Sequence, residues 1–500
     1  MTAIDHDTPT TAPPPPDPPA PTGRSGLWFA LLLLGVLALA GWLRFTGLNW
    51  DSNSHLHPDE RFLTDLAGTL SSVEHPLDYF RTSISTLNPY NVGRSFYVYG
   101  NFPMTVTRYA AEWVSGLCEA ATARAGSPPA WCGHRYDSYD GIQLVGRFLS
   151  ALVDMVSVFF TFLIGRRLYG RWAGLLAALL LGLAVMPIQQ AHFFTMDNWA
   201  TAFTTLALYA AVRAAGLGDP EPRFRWRWWA LFGVALGLAV ASRINMAPLA
   251  LVIGVSALIW MARERFTAQG GEEAQGSRGA GEQGSAALAT RPSPPATRHA
   301  YLAVLGIALA AIISLLTFRV AQPYVFMDAE MARQTALDET GQEPGALEVA
   351  VKSVIGLNPQ FLANMREIQG QQSPEALFPP AIQWTDRPAI LFPLSNMILY
   401  GTGFVAGVFA WGAVVWALWR SLSGKQGSRD AGVQGSAESG QWSLVTGLPP
   451  ATRHPLPATR YPLPATPEWM LHAIPLFWTL TYFLYMGTRW VKSVSYTHLR

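Results

Sequence analysis

An all-α, polytopic membrane protein is the fold this sequence predicts, and three observations predict it. Only 14% of its 500 residues are charged while 50% are hydrophobic, whereas soluble domains carry about 25% charge. Uninterrupted apolar runs recur along the chain, several near the ~20 residues that carry a helix across a hydrocarbon core. Short arginine-rich loops fall in alternate gaps between those runs, as they do when one face of the membrane is consistently cytoplasmic. A net charge of +2 gives no reason to expect nucleic acid as a partner. Two cysteines exclude a disulfide-built scaffold and a four-thiolate zinc site.

The first stretch, 1–26, is rich in Pro, Thr and Asp, with a run from Pro13 to Pro16, and cannot bury enough to fold. Leu27–Leu43 follows without a charge and reads as the first span, since no small-residue cleavage site follows it cleanly. Further spans are expected at about Phe148–Gly165, Trp172–Ala191, Trp199–Val212, Trp228–Ser242, Met246–Ala262, Ala300–Phe318, Met397–Trp419 and Trp469–Gly487. Tryptophans at many of these borders suit an interfacial belt. Arg166, Arg167 and Arg171, then Arg213, Arg223, Arg225 and Arg227, then Arg263 and Arg265, then Arg420 and Lys425 all fall on one side. That side is assigned as cytoplasmic together with the N-terminus. The opposite side receives 48–141, the turn Gln190–Asn198, 323–388 and the C-terminus.

The expected organisation is therefore a transmembrane region 27–262 with outer loop 48–141, and a second transmembrane region 300–420 with outer loop 323–388. A last span lies in 468–500. Two low-complexity cytoplasmic insertions, 263–299 and 421–467, share words such as Gln-Gly-Ser-Arg and Pro-Ala-Thr-Arg and are expected to be disordered. Phe96–Gly116 is apolar but interrupted by Asn101, Pro103, Arg108 and Glu112. As a span it would put the Arg166–Arg171 loop outside, so an interfacial helix is expected instead. Cys118 and Cys132 lie in the first outer loop, where a disulfide between them is one reading and two free thiols the other.

Residues able to carry chemistry gather at the outer face. Asp59 and Glu60 follow the first span beside His55 and His57; such carboxylates can deprotonate an acceptor hydroxyl or hold a cation. Pro58-Asp59-Glu60 is equally a good first helical turn. Asp197 emerges at the same face in the turn His192–Asn198, where it could also cap the following span. Asp154, inside the second span, either joins the same cavity or pairs with a neighbouring helix. Arg243, with Asn245 nearby, offers a cation where a lipid phosphate would lie, or snorkels to headgroups. Tyr324, Trp384 and Arg387 could line a sugar pocket by stacking and hydrogen bonding, or anchor the loop at the interface.

The first span followed by His57-Pro58-Asp59-Glu60 in a long outer loop resembles the GT-C membrane glycosyltransferases. More specifically it is similar to glycosyltransferase family 39, which includes protein O-mannosyltransferases and lipid A aminoarabinose transferases. The matching stretches are Gly146-Arg147-Phe148-Leu149-Ser150-Ala151-Leu152, Arg166-Arg167-Leu168-Tyr169-Gly170 and the turn from His192 to Trp199. The outer loop's Ser85–Asn91 and Tyr97–Pro103 read like uncharacterised bacterial members. The likeness covers about 27–262 well and 300–420 moderately.

The resemblance implies a GT-C-type bundle in the cell (plasma) membrane. It would move a sugar from a polyprenyl-phosphate donor to an acceptor hydroxyl at the outer face, as a hexosyl- or mannosyltransferase. The acceptor, whether protein, lipid or glycan, stays open. Asp59 matches the family's catalytic carboxylate and Asp197 its second acidic residue, with Glu60 beside Asp59. His57, His192, Arg243, Tyr324, Trp384 and Arg387 are the expected substrate-binding residues. No cofactor is established, but some members hold a divalent metal, which makes Asp59, Asp197 and His192 the candidate ligands.

Two departures stand out. The lysine of the aminoarabinose transferases has no counterpart near Gly100-Asn101-Phe102-Pro103, so their phosphate contact is not carried over. Family members usually carry more spans than this chain, and the tail Lys492–Arg500 resembles stray translated sequence, so a truncated or chimeric chain is expected. A transporter or flippase-like protein is the alternative function, although no repeat symmetry is evident. The transferase reading requires that Asp59 and Asp197 converge on one water-facing hollow.

Overall fold

The computed structural model describes residues 24–219, 223–263, 265, 296–371, 387–423 and 466–488. Outside the described residues lie most of the N-terminal tail, the bulk of both low-complexity insertions, Trp384 and the C-terminal tail. Among the described residues the fold is helical, with one isolated antiparallel bridge, Phe326 to Leu357.

In chain order the helices are α1 (Arg24–Phe45), α2 (Pro58–Thr69), α3 (Asn101–Ala125), α4 (Tyr139–Tyr169), α5 (Arg171–Leu183), α6 (Val185–Ala191), α7 (Asp197–Ala214) and α8 (Trp226–Ser242). They continue as α9 (Ile244–Arg263), whose first turns are 3-10, and α10 (Ala296–Ala321). Next come α11 (Ala329–Thr340), α12 (Ala346–Ile355), α13 (Pro359–Gln371), α14 (Leu391–Asn396), α15 (Phe404–Leu422) and α16 (Glu468–Gly487).

Among the described residues five helices, α1, α4, α9, α10 and α15, are long and apolar enough to cross a membrane, and the bent pair α5–α6 makes a sixth if counted as one span. The remaining expected spans fall on α7, α8 and α16, which are shorter or carry more polar side chains. All of these helices except α7 present large apolar side chains outward, for example Leu34 at 62% exposed on α1 and Leu316 at 61% on α10. In water such surfaces would drive aggregation; against lipid tails they are at home. The molecule is a polytopic membrane protein. Helix α3 covers the expected interfacial stretch and does not meet the criteria for a span. Its Arg108 is held by Glu112 at 2.7 Å and by the carbonyls of Ala67 and Asp137.

Two expectations are corrected. The run Trp172–Ala191 is not one continuous span but breaks at Ala184, with a 59° bend between α5 and α6. Pro187 has no N–H to donate to the Leu183 carbonyl, so a straight helix cannot pass through it. The run Met397–Trp419 also begins irregularly, as a π turn at Met397–Gly401, and α15 starts only after Gly403 in a left-handed conformation (φ +83°).

The bundle core sits between α7, α8, α9 and α10, with Trp229, Phe232 and Trp260 fully buried. α8 and α10 approach closely because Gly233 and Gly237 have no side chains; a methyl at either would meet the α10 backbone at Ala310 or Ser314. That is the small-xxx-small packing of membrane helices. Deep in the bundle, Arg44 of α1 binds Asp154 of α4 at 2.6 Å, both side chains shielded from solvent. The same guanidinium donates to the Gly182 carbonyl at 2.8 Å and to the Leu181 carbonyl at 3.2 Å, the latter also accepting the Ala184 N–H at the break. Asp154 therefore pairs with a neighbouring helix and does not join the site. The cysteines form the disulfide Cys118–Cys132, with Cα atoms 5.5 Å apart.

Removing one member of the Arg44–Asp154 pair strands the other in an apolar bundle. Asp154→Ala is expected to lower stability by about 3–5 kcal/mol, and the double variant Arg44→Met/Asp154→Leu to recover most of it. Melting temperatures in detergent for the single and double variants check this, and equal losses in both would contradict it.

Candidate active site

The site is assembled around a cation that the sequence places at the mouth of α4. This helix begins more than two turns before the expected span and reaches about 46 Å at 1.5 Å per residue, longer than a 30 Å core. Arg147 lies on its N-terminal part, with no exposed surface. Its Nε and Nη2 donate to Glu60 Oε1 and Oε2, both at 2.7 Å. Its Nη1 and Nη2 donate to Asp51 Oδ1 and Oδ2, both at 2.9 Å, and Nη1 also reaches the Leu48 carbonyl at 2.8 Å. One guanidinium thus ties the end of the first span, the following loop and α2 to α4.

The loop between Asp51 and α2 is strained. Ser52, Asn53 and His55 all adopt positive φ of 49–63°, a region disfavoured for residues with a Cβ. It is held by the Arg147 bonds and ends in a capped helix. His57 is the N-cap of α2, its Nδ1 accepting the Glu60 N–H at 3.3 Å, and its ring packs 4.3 Å from that of Phe193. Pro58 at the first position presets the helical φ. Asp59 is thereby left half-buried on the first turn of α2.

Glu60 also accepts the N–H of Phe194 at 2.8 Å, which pins the α6–α7 turn to the same hub. The turn fits because residue 146 is glycine: a Cβ there would overlap the Phe194 ring. Three residues further on, Asp197 opens α7 and its Oδ2 accepts from Arg243 Nη2 at 2.9 Å. Arg243 sits where α8 ends, in extended conformation. Next to it lies Tyr99. Gly100 packs so tightly on the α8 end that a Cβ would collide with the Ala241 and Ser242 carbonyls. Gln322, at the end of α10, donates to the Tyr99 carbonyl at 3.4 Å and accepts the Asn101 N–H at 2.5 Å.

The Tyr99 phenol lies within reach of the charges of Asp59, Arg243 and Asp197. Burial first, then the nearby Asp59 carboxylate, push its pKa well above the usual value, with Arg243 acting in the opposite sense. The phenol therefore remains a proton donor at physiological pH. Arg243 in turn faces Asp197, Tyr99, Asp59 and, from α16, Tyr482. Asp59 and Asp197 thus both act electrostatically on one phenol and one guanidinium, and among these four side chains Arg243 and Asp197 are in direct contact. The Arg243 Nε and the Asn245 Oδ1 are buried with no hydrogen-bond partner among the described residues. A cavity of about 450 Å³ opens elsewhere, between the turns around Asn91 and the start of α13, and includes neither aspartate.

Other expected site residues lie differently. Glu60 has both oxygens committed to Arg147 and Phe194, so it braces the site and has no oxygen to spare for catalysis. His57 serves as a helix cap. His192 has Nδ1 2.8 Å from the Ile188 carbonyl and Nε2 2.9 Å from that of Thr46, which leaves neither nitrogen for a metal or sugar. Tyr324 is buried in the loop core against Ser85 Oγ at 2.8 Å and is not part of the cluster. Arg387 lies over the Phe392 ring and forms no ion pair with either aspartate among the described residues. Trp384 lies outside the described residues. Among the described residues no group of three or more His, Cys, Asp or Glu could hold a metal ion. With His192 occupied and Asp197 paired to Arg243, the expected ligand set does not fit a divalent ion.

Residues 141–270 match the family described as dolichyl-phosphate-mannose-protein mannosyltransferase. That stretch carries Arg147, Asp197 and Arg243. Among solved structures, the yeast (S. cerevisiae) protein O-mannosyltransferase Pmt1-Pmt2 complex bound to the sugar donor is similar at 12% identity and a TM-score of 0.36, over 60% of this chain and 34% of that one. The archaeal oligosaccharyltransferase AglB from Archaeoglobus fulgidus, in complex with an inhibitory peptide and a dolichol-phosphate, is similar at 14% identity and a TM-score of 0.43, over 95% of this chain and 50% of that one. The chain spans at most about half the length of these structures, and both likenesses are distant. No curated protein matches the chain.

The hub predicts an acid limit to stability. Burial raises the Asp51 carboxyl, but its hydrogen bonds and charge contact with Arg147, helped by backbone N–H groups, win and hold it below the ordinary value. A depressed pKa in the folded state contributes stability above the unfolded value, about 3.9, and loses it as pH falls through the folded value. Melting temperature is therefore expected to show a component that drops only below about pH 3.9, and Asp51→Asn to remove that component while lowering stability at neutral pH.

Proposed function

We propose that this protein transfers a sugar from a polyprenyl-phosphate carrier to an acceptor hydroxyl at the outer membrane face, with Asp59 as the base. The observation that carries this reading is the Asp197–Arg243 pair at the ends of α7 and α8, inside the family-matched stretch, with Asp59 and Tyr99 of the first long loop in electrostatic reach of it. A glycosyl phosphate already has a good leaving group. The protein need only take the acceptor proton and steady the charge left on the departing phosphate. Asp59 is half-buried on the first turn of α2, near the Tyr99 phenol. Arg243 keeps an unpartnered buried N–H beside its bond to Asp197, so it can donate to a phosphate oxygen while Asp197 fixes its plane. Arg147 and Glu60 position this apparatus without touching substrate.

The fixed guanidinium stands where a dication would otherwise balance Asp59 and Asp197. The reaction is accordingly read as needing no bound divalent ion, and transfer is expected to survive EDTA treatment with less than a twofold loss. An activity abolished by EDTA and restored by one metal would overturn that reading.

The reaction itself is tested by incubating the reconstituted full chain with radiolabelled polyprenyl-phosphate sugars and membrane acceptors. Asp59→Asn is expected to reduce transfer by about 10²–10⁴-fold, the usual contribution of a general base, and Tyr99→Phe to shift its pH profile with a smaller loss. Movement of labelled lipid across the bilayer without transfer would favour a flippase instead.

A further inference from the structure

Helix α12 is amphipathic in the inverted sense for a loop in water. Val349, Lys352 and Ser353 turn inward and are partly covered, and Lys352 binds Glu339 of α11 at 2.9 Å. Leu347, Val351 and Val354 recur at i, i+4 and i+7 on the opposite face. They are exposed, Leu347 by 79% and Val354 by 62%, and Ile355 beside them by 68%. No residue of α12 is buried. A stripe of this kind is not an element of the protein core; it needs an apolar surface from elsewhere.

Its position names that surface. The guanidinium of Arg319, in the last turn of α10, donates to the Ser353 carbonyl of α12 at 3.4 Å. The membrane-facing side of α10 runs directly up to this point, through Ile312, Leu315, Leu316 and Val320, all more than half exposed. On the first long loop, the 3-10 turn Pro76–Phe80 reaches the same end of α10, with Tyr79 donating to the Val320 carbonyl at 2.9 Å and Leu77 77% exposed. Two separate loops thus place exposed apolar side chains around the end of one lipid-facing helix.

We propose that α12 lies in the interfacial zone of the bilayer, its Leu347–Val351–Val354 face seated in the leaflet at the site end of α10, with Leu77 seated beside it. This goes beyond the transferase reading and does not depend on it. The seat has a mechanical consequence. α12 continues into a segment stitched to the loop core: the Gly356 carbonyl accepts the Met327 N–H at 2.9 Å, and Asn358 donates its N–H to the Val325 carbonyl and its Nδ2 to the Tyr324 carbonyl. The turn before that core starts at Gln322, which holds Tyr99. Lipid contact at α12 therefore sets the depth at which Tyr99, Asp59 and Arg243 stand relative to the headgroups. A membrane is the occupant argued here because the stripe continues an existing lipid-facing surface; a second protein surface is an outcome of the test.

Because the described residues contain no free cysteine, single cysteines introduced at Leu347, Val351 and Val354 can be spin-labelled in the full chain without reductant. The chain is reconstituted in phosphatidylethanolamine/phosphatidylglycerol vesicles, with labels at Leu316 on α10 and at Asp338 on α11 as lipid and water references. Collision with oxygen is expected to exceed collision with a water-soluble nickel chelate at all three α12 positions, as at Leu316, and to reverse at Asp338. Nickel access matching that at Asp338 would overturn the proposal. So would labels shielded from both reagents, which would mean that protein covers the stripe.

Discussion

A buried guanidinium with two carboxylates is the constraint on which the rest of this structure depends. Arg147 is the single point where the end of the first span, the strained loop after it, α2 and α4 meet. The same Glu60 that accepts from it also accepts from Phe194, so the turn leading to Asp197 is tied in as well. Such a network is costly to bury, since each ion loses its hydration, and it holds only because nearly every lone pair is matched by a donor. What the protein gains is placement. Two aspartates more than a hundred residues apart in the chain are delivered to one phenol and one guanidinium.

Close backbone approaches do the rest. Gly146 admits the Phe194 ring and Gly100 admits the end of α8; neither residue carries any chemistry. Each removes the side chain that would hold a functional neighbour away. The broken helix α5–α6 belongs to the same logic. A straight span would carry the chain past the site, whereas the 59° bend brings its last turn alongside the end of α1, where His192 bonds to the Thr46 carbonyl. Carbonyls of the last turn before the break, Leu181 and Gly182, accept from Arg44, whose own charge is balanced by Asp154. Charges inside this bundle are used to repair backbone interruptions as well as to pair with one another.

Several functional assignments read from the sequence changed once neighbours were known. Asp59 and Glu60 are adjacent in the chain and chemically alike, yet one faces the cluster and the other is consumed by Arg147 and a backbone N–H. No pattern in a single sequence separates them, because the distinction rests on a partner eighty-seven residues away. His57 and His192 looked like ligands and act as a cap and a clasp. Tyr99 and Arg147 were the residues missed. Each had a signal: a tyrosine directly before a glycine in the outer loop, and an arginine at the head of an apolar run, where a charge is tolerated only if something binds it.

By itself the sequence determined that the chain lives in a membrane, where its apolar runs lie, that Asp59 and Asp197 stand at turns bordering those runs, and which family the stretch around α4–α9 resembles. Those properties follow from local composition and spacing, which hydration and helix periodicity read directly. Only the tertiary structure decided that the third run is broken, that Asp154 answers Arg44, that Glu60 braces while Asp59 is presented, and that a tyrosine and an arginine complete the cluster. Those outcomes depend on which distant side chain satisfies each buried charge, and that is settled by packing.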